Sequence, residues 1–174
     1  MSDYSYNSEI GQTDLMGAAH HGDAEAVDFI LTMPCDIDAQ DDHGMTAMMY
    51  AAWKGHAEVV EHLIEHKANL ELQSGQHWTA LMYAVRRGSL ETVQALLRAK
   101  ADPDVHGDYS TLATPLTIAA ELGFFAVVRA LVAAGADISL HGGYGQRTAE
   151  CIARHNEFHE ISEFLCYHEK RPQA

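Results

Sequence analysis

The sequence is poor in cations. Its 174 residues hold 11 Lys and Arg against 25 Asp and Glu, a formal net charge of −14. Phosphate backbones are held by many cationic contacts, so no nucleic-acid partner is expected. A basic protein is compatible through long-range steering, while acidity that simply keeps a small array soluble is the blander account. Cysteine is scarce as well. Cys35, Cys151 and Cys166 are odd in number and lack C-x-x-C spacing, which argues against a disulfide framework and a zinc site and fits a reducing cytoplasm. Apolar runs are short, far below the roughly 20 residues that span a bilayer. The opening MSDYSYNSEIGQTD has no basic region followed by an apolar core, so neither a secretory signal nor a membrane partner is expected. Catalytic signatures are also missing. The chain has no G-x-S-x-G, phosphate-binding loop, H-E-x-x-H or dinucleotide fingerprint, so no enzymatic activity and no cofactor are expected. Acid pairs such as Asp41-Asp42 fall in connectors, where a general acid is hard to desolvate.

What the chain does have is a repeat. Thr46 opens T-A-M-M-Y-A-A, and matching segments open at Thr13, Thr79, Thr114 and Thr148, at steps of 33, 33, 35 and 34 residues. A glycine follows nine residues after the threonine in four copies, at Gly22, Gly55, Gly88 and Gly123. Repetition at this period describes an array in which each repeat contacts its neighbours. Apolar residues, 47% of the composition, are sufficient for a continuous core.

Each repeat reads as helix, turn, helix and polar connector. The threonine is an N-cap whose hydroxyl accepts from an otherwise unpaired backbone N–H, and the glycine closes the first helix in the left-handed conformation. Apolar stripes at i, i+3, i+4 mark the second helices: Val27, Ile30 and Leu31, then Val59, Val60, Leu63 and Ile64, then Val93, Leu96 and Leu97. Pro34 prevents the first stripe from continuing as helix. Alanines at Ala18/Ala19, Ala51/Ala52, Ala84 and Ala119/Ala120 fit close approach of stacked helices. Repeats are expected at 8–40, 41–73, 74–108, 109–142 and 143–168, with a flexible arm over 1–7 and a tail over 169–174. A two-residue lengthening falls in the connector near Gly107-Asp108, where insertion is cheap. The fifth repeat is degraded: Asn156-Glu157 replaces the turn glycine, and Ser162 and Glu163 give the polar outer face of a C-terminal cap.

The recurring T-A-M-M-Y-A-A, Gly55-His56, V-V-E-H-L-I and Ala68-Asn69, in that order, resemble the ankyrin repeat family over about residues 8–168. The resemblance implies an all-α ankyrin-repeat solenoid of about five helix-turn-helix repeats with a degraded C-terminal cap. The family's proline after the threonine stands only at Pro115, and its histidine is replaced by Met16, Met49, Met82, Thr117 and Cys151, so apolar packing is expected there. Lys67 and Lys100 stand where the family has glycine, with an expected strain of roughly 1 kcal/mol each.

The family binds partners on a concave side lined by loop tips and the ends of the first helices. Carried onto this sequence, those positions are Asp42, His43, Met45, Trp53, Lys54, Gln76, His77, Trp78, Arg86, Arg87, Tyr109, Glu121 and Leu122. His20-His21 and His155-Asn156 lie in the same column. Trp and Arg are enriched at binding hot spots, so Trp53, Trp78, Arg86, Arg87 and Lys54 are expected to form an aromatic patch with basic neighbours. Asp36, Asp38, Asp41 and Asp42 would meet basic groups from the loop side.

Of the twelve histidines, His62 and His66 share a helix face but have no third ligand, and surface histidines are the simpler account. Cys151 and Cys166 fall on apolar positions of the cap and are expected to be buried and inert. A monomeric, non-enzymatic module that binds another protein is the expected function. The alternatives are an inhibitor or immunity-type protein that covers a partner enzyme, and a metal- or redox-linked accessory protein.

Overall fold

A computed structural model of the protein describes residues 13–107, 112–142 and 147–169. The expected arm at 1–7, Tyr109 and the tail from Lys170 lie outside the described residues. The chain divides into two compact units, 1–101 and 102–174.

The first unit contains three helix pairs: α1 (Asp14–His21) with α2 (Ala24–Leu31), α3 (Ala47–Lys54) with α4 (Ala57–Glu65), and α5 (Ala80–Arg87) with α6 (Leu90–Arg98). Each helix has eight or nine residues, too few for an isolated helix to be stable in water. Their stability therefore comes from packing, and two separate rows provide it. The first helices stack α1 on α3 on α5, and the second helices stack α2 on α4 on α6.

The composition of the two rows follows from that arrangement. Helix α3 is covered on both flanks, by α1 and α5, and on a third side by its partner α4. Six of eight residues in α3 are buried, Ala47 through Ala52. Ala18, Ala19, Ala51, Ala52 and Ala84 have no exposed surface, because side chains larger than methyl would hold the stacked backbones apart. The second helices bury only a stripe, Val59, Val60 and Leu63 in α4 and Thr92, Val93, Ala95 and Leu96 in α6. Ile64 and Leu97, expected within that stripe, are half-buried at its edge.

Helix ends are set locally. The side chains of Thr13, Thr46, Thr114 and Thr148 accept from the backbone N–H three residues on. Thr79 is the exception, its Oγ1 buried without a partner. Gly22, Gly55, Gly88 and Gly123 all take left-handed φ between 75° and 82°, and that conformation turns each first helix into its second. Met16, Met49 and Met82, which occupy the histidine position of the resemblance, are at most 1% exposed. Flexible thioethers fill the gaps between stacked helices there.

The second unit contains α7 (Pro115–Leu122) with α8 (Phe125–Ala133) and α9 (Ala149–His155) with α10 (His159–Glu169). Between them β1 (His141–Gly142) pairs antiparallel with β2 (Arg147–Thr148), His141 opposite Thr148 and Gly142 opposite Arg147. This small ladder was not anticipated from the helical pattern. It brings two short extended backbones side by side at the fifth threonine, with their N–H and C=O groups paired across.

The connector insertion is visible in hydrogen bonding. Asp41 N–H donates to the Met45 carbonyl and Ser74 N–H to that of Trp78, whereas Gly107 N–H reaches the carbonyl of Ala113, two residues farther along. The first two bonds close tight turns before α3 and α5, and the third spans two more residues of sequence.

The fifth repeat departs from expectation in two places. Cys151 is exposed and Cys166 half-buried, because among the described residues no further helix covers α9 and α10. Ser162 points inward: its hydroxyl donates to Glu150 Oε1 at 2.8 Å, and Arg154 binds the same carboxylate oxygen. Glu163 is exposed, as a cap requires.

Candidate functional site

In the first unit the candidate residues lie at the ends of α1, α3 and α5 and on the two turns between the pairs. The turns are built first. Asp41 is 7% exposed, and its Oδ1 accepts from the backbone N–H groups of His43 and Met45 at 2.9 and 2.8 Å. Its Oδ2 accepts from the Tyr50 hydroxyl at 2.7 Å. In the next repeat Ser74 takes this place and accepts from the Tyr83 hydroxyl at 3.0 Å. The two turns are also tied to each other, Gly75 N–H donating to the His43 carbonyl at 2.8 Å.

This geometry corrects two expectations. Met45 is 7% exposed, so it belongs to the core under the turn and offers no contact surface. Asp41 is used up in the turn and is not available to a basic partner. Asp42, His43, Gln76 and His77 are exposed at the tips. His77 takes a φ of 60°, which directs the chain back toward Trp78.

The aromatic and basic residues separate into two clusters. The first centres on Trp53, 44% exposed at the end of α3. Lys54 Nζ stands 4.7 Å from its ring centroid, and the His20 and Tyr50 rings stand 6.2 and 6.5 Å away. His20 also meets Tyr50 edge-on at 5.7 Å. Burial, and then Lys54, His21 and His56, hold the His20 imidazole below its usual pKa, so a neutral ring lies beside the tryptophan. The second cluster centres on Trp78, which is half-buried against Tyr83, with ring centroids 5.4 Å apart. The Arg86 guanidinium lies over Trp78 at 5.4 Å.

No ring contact joins the two tryptophans. Arg87 links the clusters instead, its Nε donating to the Lys54 carbonyl at 3.4 Å. The expected single patch is thus two aromatic–cation pairs on neighbouring repeats. Among the described residues no carboxylate pairs with Lys54, Arg86 or Arg87; the ion pairs found are His62–Asp28, Arg98–Glu61 and Arg154–Glu150.

In the second unit Glu121 and Leu122 end α7, both exposed, Leu122 by 41%. Asn156 Nδ2 donates to the Glu121 carbonyl at 3.1 Å, so Asn156 helps to hold the end of α7.

The histidines do not converge. His62 Nδ1 lies 2.6 Å from Asp28, while the His66 ring turns to the carbonyl of His62 at 2.9 Å. Among the described residues no group of three His, Cys, Asp or Glu side chains is placed to hold a metal ion, and no helix is long and apolar enough to cross a membrane.

Sequence reasoning missed Tyr50 and Tyr83, which lock each turn to its helix. The signal was available: a tyrosine four residues after the threonine, twice, with a side-chain acceptor five residues before that threonine.

Stacked short helix pairs, with their turns and first-helix ends left open to solvent, define a helical-repeat binding protein. The chain belongs to the ankyrin-repeat family. The model for ankyrin repeats in three copies matches residues 15–107, and that for a single ankyrin repeat matches 112–142. No curated protein matches the chain. Ankyrin repeats are in general protein-interaction modules, and the family is typically non-enzymatic.

Proposed function

We propose that this protein is a monomeric, cytoplasmic, non-enzymatic module that binds another protein across the ends of α3 and α5 and the turns beside them. One observation carries the reading. Trp53 is 44% exposed beside Lys54, and Lys54, Arg86 and Arg87 have no carboxylate partner among the described residues. A large rigid aromatic flanked by unneutralised cations is the composition of a binding hot spot. The partner segment that fits presents carboxylates to the two arginines and an apolar side chain to Trp53. Glu121 and Leu122 are further candidate contacts in the second unit.

The test is recovery of partners from source-cell lysate by the wild-type chain and by Trp53→Ala/Arg86→Ala, with circular dichroism confirming that both are folded. A partner that binds the wild type should bind the variant about 30-fold or more weakly, the loss typical of paired hot-spot residues. Equal recovery by the folded variant overturns the assignment. If the partner is an enzyme, its activity with and without the chain separates an inhibitor from an adaptor.

A further inference from the structure

The repeat register shows which way each position faces. His62 reaches back from α4 to Asp28 on α2, and Arg98 reaches back from α6 to Glu61 on α4. In the connectors, Asn69 N–H donates back to Asp38 Oδ1 at 2.8 Å. Thirty-three residues earlier, the positions of His62 and Asn69 are Phe29 and Asp36. In the first repeat, therefore, Phe29 and Asp36 lie on the side that later repeats turn toward a preceding neighbour. Among the described residues that side is unusually apolar for an exposed face. Phe29 is 67% exposed and Met33 45% exposed. Beside them an open groove of about 350 Å³ is lined by Leu15, Ile30, Met33 and Pro34, with Asp14 and Asp36 among its other lining residues.

We infer that this face of α1 and α2 docks a basic amphipathic helix of a partner protein. Shape argues for a helix, since the corresponding faces of α3 and α4 are covered by helices α1 and α2. Charge argues for its sign. Residues 1–53 contain ten Asp and Glu and no Lys or Arg. A second copy of the first repeat, or the chain's own first twelve residues with Asp3 and Glu9, would bring like charge to the groove. A helix with apolar residues at i, i+3, i+4 and i+7 fills it, and flanking Lys or Arg meet Asp14 and Asp36. This surface is separate from the tryptophan clusters and takes a partner of opposite charge.

The experiment titrates the full chain into a fluorescein-labelled amphipathic Leu/Lys peptide of about 18 residues, long enough to hold a helix, with anisotropy as readout. Phe29→Asp should weaken binding about tenfold or more, the scale of losing a central apolar anchor. Asp14→Asn/Asp36→Asn should weaken it less and flatten its salt dependence. Trp53→Ala/Arg86→Ala, which tests the other surface, should leave it unchanged. Peptide affinity equal in folded Phe29→Asp and wild type overturns the inference. So does a dimer in sedimentation that Phe29→Asp abolishes, which assigns the face to a second copy. A rise of about tenfold on Ile10→Asp also overturns it, assigning the face to the chain's own first residues.

Discussion

Lys67 and Lys100 hold φ of 66° and 71°, a region that costs an L side chain about 1–2 kcal/mol. Both end a second helix, where a glycine would relieve that strain but add entropy to the unfolded chain. The balance favours glycine. Lys67→Gly and Lys100→Gly should each raise stability by about 0.5 kcal/mol, read as the urea midpoint at unchanged slope. Gly135 supplies the opposite control. It takes φ 96° at the corresponding turn, and an added Cβ would meet nothing within 4 Å. Gly135→Lys should therefore destabilise through backbone conformation alone, and an unchanged midpoint there would contradict the account.

At the scale of an element, the turns before α3 and α5 are each tied to their helix by one tyrosine hydroxyl. Tyr50 donates to the Asp41 carboxylate and Tyr83 to the Ser74 hydroxyl. Removing a donor from a buried carboxylate costs more than removing one from a neutral hydroxyl, about 1.5–3 against about 1 kcal/mol. Tyr50→Phe should accordingly lower stability more than Tyr83→Phe. Equal losses in chemical denaturation would mean that the charge on Asp41 adds nothing to the turn. Both substitutions should also shift Trp emission, since Trp53 packs near Tyr50 and Trp78 against Tyr83.

For the molecule as a whole, a net charge of −14 on 174 residues opposes compaction through self-repulsion. Salt screens such repulsion over about 10 Å at 0.1 M. Exposed pairs such as Arg98–Glu61 contribute little by comparison. The melting temperature should thus rise by a few degrees between about 0.02 and 0.3 M sodium chloride. A fall would show that the local ion pairs outweigh the global repulsion.

The local choices were legible in the sequence: the repeat, the threonine caps, the glycine turns, the αL lysines and the all-helical class. Caps and turns depend on residues within a helical turn or two of one another, the repeat on recurrence of that local pattern, and the αL lysines on the family resemblance. Burial at equivalent positions could not be read the same way. Met45 and Trp78 both precede their threonine, yet Met45 is buried beneath the turn while Trp78 is half-buried against Tyr83. Asp41 looked like surface charge until its turn closed around it, and Ser162 looked like an outer face until Glu150 met it. Trp53 and Trp78, adjacent in the candidate set, stand in separate clusters. Phe29 repeats the position of His62, but among the described residues no helix covers it as α2 meets His62. Sequence alone settled what each repeat is, because helix, cap and turn are short-range decisions. Only the tertiary structure settled which side chains remain exposed, because exposure is set by the neighbour across the stack.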